Sequence, residues 1–248
     1  MEAVAIVFML LAAINFSTHF LAFSGRSLQA YIKDKEAHMV WATMIGSIIL
    51  VAYFLWAQQA YPEFLTALRH SAFNVVSIAT TTGLATQDYN LWPAFAPVLM
   101  LFLSCFATAA GSTGGGIKMI RAQLLVKHCF SELHRLVHPK SPMVVKLNGV
   151  VYEPAVMDSI LAFMFLYGIS IIVLTLLMLV SGCELVTALS AVVASINNMG
   201  PGLNLVGPAT TFAVLTDFQT WICTLAMLLG RLELFTMVVI FTRTFWRT

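Results

Sequence analysis

Two short stretches carry residue types suited to holding a bare cation: Thr80-Thr81-Thr82-Gly83-Leu84 and Asn197-Asn198-Met199-Gly200-Pro201. A cation that has shed its water shell needs oxygen ligands in replacement, and a stretched loop that turns main-chain carbonyls inward supplies them. Gly83 and Gly200 permit dihedrals closed to other residues at the centre of each stretch. Each stretch follows a short apolar segment, Phe64–Ala79 or Leu185–Ile196, which as a helix would direct its negative C-terminal end at the loop and favour cations there. Neither loop contains a carboxylate, so a hard divalent ion fits poorly and a monovalent cation fits well. The candidate ligands are the backbone carbonyls of Thr80, Thr81, Thr82 and Gly83 and of Asn197, Asn198, Met199 and Gly200, with the threonine hydroxyls and Asn198 as side-chain support. For either loop alone, an ordinary extracellular turn is the competing reading. Two such loops in equivalent settings favour pore loops.

The setting is a membrane. Of the 248 residues 60% are hydrophobic and 10% charged, with a mean hydropathy of +0.89. Soluble domains average about 45–50% apolar and about 25% charged residues, so a soluble enzyme or a nucleic-acid binder is excluded by composition. Four cysteines without a CxxC pair point to neither a disulfide framework nor a zinc site. A span needs about 20 mostly apolar residues. Stretches of that order occur at residues 3–23, 39–57, 91–117, 159–181 and 211–242, the last holding Asp217, Arg231 and Glu233. The first is long enough to span and starts at Glu2 rather than a basic residue, so it reads as a retained helix and not as a signal peptide. The two segments before the loops are too short to cross and fit re-entrant helices, which survive only where protein or a water-filled cavity shields their backbone.

Cationic residues orient these spans. Arg26, Lys33 and Lys35 follow the first; Lys118, Arg121, Lys127, Arg135, Lys140 and Lys146 follow the third; Arg243 and Arg247 close the chain. Placing those regions in the cytoplasm puts eleven of the thirteen cations inside, leaving Arg69 outside and Arg231 in the membrane. The C-terminus is then cytoplasmic and both short segments open outward. A repeat emerges: residues 39–125 and 154–248 each form a span, short helix, loop, span unit in the same orientation, with Gly83 matching Gly200. Residues 126–153 form a basic cytoplasmic connection, and residues 1–23 an unpaired transmembrane helix that reads as the end of a preceding unit. The expected fold is an all-α polytopic membrane protein built of repeated membrane–pore-loop–membrane units of potassium-channel-like type.

Two further features fall inside the membrane. Gly111, Ser112, Thr113, Gly114, Gly115, Gly116 and Lys118 form a glycine-rich stretch within the third span. Gly111 and Gly116 have phosphate-loop spacing, but Ile117 separates Gly116 from Lys118 and no strand precedes, so a nucleotide site is disfavoured. Close helix packing explains single glycines in membranes. Three in succession beside Ser112 and Thr113 exceed that need and would break the helix, as is tolerated where backbone lines a cavity. Arg231 is deep enough in the last span to be a functional candidate. Glu233, two residues away, lies on another helix face, so Arg231 faces either a pore or neighbouring carbonyls. His128, His134 and His138 lie in the basic connection without a compact ligand set, and His19 and Asp217 read as packing or interfacial residues.

The arrangement, with the motifs at residues 110–118 and 197–202 and Gly230-Arg231-Leu232-Glu233, resembles the membrane subunits of the Trk/Ktr/HKT potassium transporters. The chain is similar to the C-terminal half of such a subunit, in its Trk branch: the end of the second unit with the complete third and fourth. The resemblance implies a single potassium pathway surrounded by four units, with potassium ligated at Thr81, Thr82, Asn198 and Met199. It makes residues 111–116 and Lys118 an intramembrane gate below the filter and Arg231 an electrostatic barrier beside it. It also implies a homodimer in the lipid bilayer of a bacterial inner membrane, a cytosolic nucleotide-binding regulatory partner, no resident cofactor besides the transported ion, and no nucleic acid. The basic connection and Phe245-Trp246-Arg247 are the candidate contacts for that partner. Two readings stand: a potassium-conducting transporter subunit, or a non-conducting fragment that assembles with or modulates complete subunits. Membrane-embedded catalysis has no support, since the sequence contains no HExxH, no nucleophile elbow and no pair of intramembrane carboxylates.

Overall fold

The computed structural model describes residues 1–138, 146–147, 150–232, 237, 239 and 245–246. Glu233, Lys140, Arg243 and Arg247 lie outside the described residues. Ten α-helices, three single-turn 3-10 helices and one two-stranded hairpin account for the regular structure among those described.

The opening segment departs from expectation. Residues 3–23 were expected as one straight span, yet they form α1 (Glu2–Ala12) and α2 (Phe16–Ser24), bent by 97° at the break. Asn15 sets the bend: it is extended, and its carboxamide oxygen accepts the Ser17 N–H at 2.8 Å, as an N-cap does. The carbonyls released at the end of α1 are taken up elsewhere. His19 of α2 reaches back to the Leu11 carbonyl through Nε2 at 2.9 Å, while its Nδ1 meets the Tyr31 hydroxyl at 2.7 Å. A carbonyl can only accept, so Nε2 carries the proton and Nδ1 accepts from Tyr31.

After α3 (Gln29–Lys33), α4 (Lys35–Ala57) is capped by Asp34 and runs about 34 Å, enough to cross a bilayer. Next come α5 (Phe64–Ala79), α6 (Phe95–Ser104) and the amphipathic α7 (Met119–Val137). A hairpin of β1 (Lys146–Leu147) and β2 (Val150–Val151) leads to α8 (Pro154–Val180), the second helix long and apolar enough to cross. The chain continues through α9 (Leu185–Ile196) and α10 (Asp217–Arg231). Two expected crossings are therefore not continuous helices. Residues 91–117 contain only the ten residues of α6 before irregular backbone, and α10 is fifteen residues long. Beyond Ser104 the N–H groups of Ala109, Ala110, Thr113 and Gly115 bond to Ala13, Glu36, Ala12 and Thr81 in other elements, while Ile117 N–H folds back to the Cys105 carbonyl. The expected boundary at residue 125 cuts through α7, so residues 126–137 of the basic connection are helical, and Leu124 of α7 packs with Leu147, Met157 and Ile160.

The repeat is physical. In one unit α5 and α6 pack on α4 and each other; in the second α9 packs between α8 and α10. Their cores interlock. Met199 and Leu203 of the second unit lie in the core of the first with Met44, Ile78 and Met100, while Ile117 of the first lies in the core of the second with Met178 and Ile196. The outward face of α8 exposes Phe165, Ile172, Leu176 and Val180, an apolar surface suited to lipid chains.

Candidate functional site

The two loops end their helices identically. After α5, Thr80 N–H bonds to the Val76 carbonyl (2.9 Å), Thr81 N–H to Ile78 (3.0 Å) and Thr82 N–H to Ser77 (2.8 Å). After α9 the equivalent donors Asn197, Asn198 and Met199 reach Val193 (3.1 Å), Ser195 (3.0 Å) and Ala194 (2.8 Å). This crossed pair of bonds is the Schellman termination, which requires a left-handed residue just past the helix. Thr81 (φ 58°) and Asn198 (φ 51°) supply it, and two residues on Gly83 (φ 81°) and Gly200 (φ 105°) are left-handed again. The loops also touch. A Cβ on Gly83 would overlap the Met199 carbonyl oxygen, and the Cβ direction of Gly200 points at the Gly83 Cα. Gly83 is thus required twice, by its dihedral and by its neighbour.

Side chains in the loops mostly face the protein. Asn197 is fully buried. Its Oδ1 accepts from the Tyr167 hydroxyl at 2.7 Å, and its Nδ2 donates to the Ser104 hydroxyl at 2.9 Å. Asn198 Nδ2 donates to the Met227 carbonyl in α10 at 3.1 Å. The Thr80 and Thr82 hydroxyls bond to each other at 2.9 Å, and the Thr81 hydroxyl accepts the Gly115 N–H at 2.9 Å. Met199 is buried in the first unit's core. The side-chain support expected from the threonines and Asn198 therefore goes to the scaffold, and the backbone oxygens remain as the groups suited to an ion.

The glycine-rich stretch forms one loop against the two candidate loops after α5 and α9. Gly115 bonds to Thr81, and its α-carbon is so close to residue 197 that a Cβ would lie 2.7 Å from the Asn197 carbonyl carbon. On its other flank the loop fills the bend between α1 and α2. Ala109 N–H donates to Ala13 O (2.9 Å), Thr113 N–H to Ala12 O (3.4 Å) and Phe16 N–H to Gly111 O (3.1 Å). The broken first helix thus lends its freed backbone groups to the loop. Lys118 folds back inside, its ammonium donating to the Ser112 carbonyl (3.4 Å) and hydroxyl (3.3 Å) and to the Gly114 carbonyl.

All the residues expected at a gate come together. Gly111, Ser112, Thr113, Gly114, Gly115, Gly116, Lys118 and Arg231 line one cavity of about 300 Å³ with Arg121, Phe163 and Tyr167. Arg231 Nη1 reaches the Thr113 carbonyl at 3.4 Å, and the Arg121 guanidinium lies 4.2 Å from the centre of the Phe163 ring. Among the described residues, three cations, Lys118, Arg121 and Arg231, line this space. Gly230 brings α10 against the end of α9, where a Cβ would lie 2.7 Å from the Ile196 carbonyl carbon. Sequence reasoning missed Asn15, Tyr167, Ser104 and Glu36. Only Asn15 had a local signal, an N-cap residue inside an apolar run.

The fold and site define a polytopic membrane protein of re-entrant pore-loop units. The family described as TrkH, cation transport protein, matches residues 1–247. The Trk system potassium uptake protein TrkH of Salmonella typhimurium is 39% identical over 241 residues, which is 97% of this chain and 50% of that protein. The uptake protein TrkG of Escherichia coli is 35% identical over 100% of this chain and 50% of its own length. The crystal structure of the potassium transporter TrkH from Vibrio parahaemolyticus superposes with a TM-score of 0.93 at 37% identity, covering 99% of this chain and 53% of that one. The chain belongs to the TrkH cation transport protein family and spans about half the length of these relatives. Its all-α fold of membrane–pore-loop–membrane units is that of the family, and the family is one of transporters rather than enzymes.

Proposed function

We propose that the chain supplies part of the potassium pathway of a Trk-type uptake transporter. The backbone carbonyls of residues 80–83 and 197–200 are the ligands, residues 111–118 are the gate, and Arg231 is the electrostatic barrier beside it. One observation carries the reading: the glycine-rich loop is seated on both filter loops at once, through the Gly115–Thr81 hydrogen bond and the contact with Asn197. The alternation of negative and positive φ along residues 80–83 supports carbonyl ligation, because residues of alternating hand turn successive carbonyls to one side of the chain. Two loops provide only part of a ring, so transport belongs to the assembled transporter, read here as a homodimer in the bacterial inner membrane. The basic regions face the cytoplasm in this reading, where α7 and Phe245-Trp246 offer contacts to a nucleotide-binding regulatory partner like TrkA. Uptake of potassium and rubidium against sodium by the assembled transporter tests the assignment; a preference for sodium rejects it.

A further inference from the structure

The gate loop enters after Ala109 and leaves into α7, and one side chain joins the two ends. Glu36, in the first turn of α4, is only 7% exposed. Its Oε1 accepts the Ala110 N–H at 2.8 Å and the Ile120 N–H at 3.1 Å. Ile120 lies in the first turn of α7, whose own cap position, Lys118, makes no side-chain cap bond and is left-handed at φ 78°. The first N–H groups of a helix lack partners within it, and a carboxylate there is favoured by the helix dipole. Glu36 thus caps α7 from another helix. Desolvating a carboxylate is costly without such partners, and Lys118 also acts electrostatically on it. The brace continues outward, since Asp34, the cap of α4, accepts the Thr18 hydroxyl of α2 at 2.6 Å.

We propose that Glu36 is a positioning residue for the gate, a latch in which one carboxylate oxygen closes the neck of the glycine-rich loop and ties it to the first turn of α4. The proposal rests on reading that loop as the gate. It separates from a merely structural role because both bonds fall on one acceptor oxygen: Glu36→Gln keeps that oxygen, Glu36→Asp draws it back by a methylene so that it cannot span both amides, and Glu36→Ala removes it.

The test uses the assembled transporter in lipid, with amide hydrogen exchange read on peptides from residues 105–120 and rubidium uptake measured in parallel. In Glu36→Ala the neck amides are expected to exchange about tenfold faster or more. Basal uptake is expected to rise with the half-saturating rubidium concentration unchanged, because the filter is untouched. Glu36→Gln keeps the acceptor oxygen but loses its charge, so in both measurements it is expected to fall between the parent and Glu36→Ala, nearer the parent. Should Glu36→Ala fail to accumulate, Glu36→Asp is expected to show the same acceleration at one end of the neck. Unchanged exchange in both the Ala and Asp variants overturns the latch, and so does a Gln variant as loose as Ala. Faster neck exchange with unchanged uptake keeps the latch but overturns the loop as gate, and with it the part of Glu36 in gating.

Discussion

Replacing Gly115 with alanine presses hardest on the contact between loop and filter. The added methyl would lie 2.7 Å from the Asn197 carbonyl carbon and 3.2 Å from its Cα, nearer still to the oxygen. These are backbone atoms in a residue held by Tyr167 and Ser104, so no rotamer change relieves the overlap. Ordinary carbon contacts begin at about 3.5 Å, so loop and filter must part by about an ångström. Overpacking of this kind costs about 1–3 kcal/mol. The Gly115–Thr81 hydrogen bond, already 2.9 Å long, is lost with the retreat, at about 0.5–1.5 kcal/mol. Together about 1.5–4.5 kcal/mol shifts the seated loop toward its unseated states by roughly 10- to 1,600-fold, at about 1.4 kcal/mol per factor of ten. Basal rubidium uptake into proteoliposomes holding the assembled transporter should rise by at least about tenfold if the seated loop obstructs the pathway. Gly46→Ala in α4 and Gly168→Ala in α8 are the controls, because a Cβ at either meets nothing within 4 Å. They should leave uptake unchanged and stabilise their helices by about 0.5–1 kcal/mol. Uptake in Gly115→Ala at or below the level of those controls, with normal folding, would refute the seated loop as the obstruction.

Other perturbations test neighbouring parts. Arg231→Ala removes a charge from the cavity wall; at an effective dielectric of about 20, unit charges about 6 Å apart repel by about 3 kcal/mol. Water in the cavity weakens that figure, so a rise in cation uptake of about tenfold is expected, and unchanged or lower uptake at normal expression sinks the barrier role. Tyr167→Phe leaves the buried Asn197 Oδ1 without its 2.7 Å donor, a loss of about 1–3 kcal/mol. The thermal midpoint in detergent should fall by several degrees and the preference for rubidium over sodium should narrow. A midpoint and a preference both equal to those of the parent would show that Asn197 needs no such support.

Much of this architecture is legible in sequence because the membrane demands it. Long apolar runs, short apolar runs ending in glycine, and a basic bias on alternate connections each answer to bilayer physics, and they yield the repeat and the pairing of Gly83 with Gly200 directly. The glycine-rich stretch is legible for the same reason, since a helix rarely survives three consecutive glycines. What was not legible is the company each residue keeps. Residues 3–23 satisfy every criterion of length and hydropathy for one straight span, and only Asn15 betrays the 97° bend. The bend makes sense once the loop that borrows its backbone groups is in place, about a hundred residues later in the chain. Glu36 likewise reads as an acidic residue at a membrane edge among basic ones. Its partners are main-chain N–H groups of Ala110 and Ile120, which leave no trace in residue type.

The two units match through the loops that follow α5 and α9 and diverge beyond them, and under the proposed function the divergence follows from what each level would have to do. In the proposed pathway an ion between the loops would meet the same backbone from either unit, which fits the likeness of Thr81 and Asn198, of Gly83 and Gly200, and of the crossed bonds behind them. Equal ligation is a requirement on carbonyls, and side-chain identity is free to differ: threonines in one loop, asparagines in the other, each spent on holding its own backbone. A device that closes a pathway has no such constraint. One unit ends α6 at Ser104 and lays a loop against Thr81 and Asn197; the other carries α10 on to Arg231 and presses Gly230 against Ile196. A second loop would compete for the space beside Thr81 and Asn197 that Gly115 already fills. Under the proposed function, a single loop facing a helix that carries a charge could open by moving one part only, and that part is the one held at its neck by Glu36.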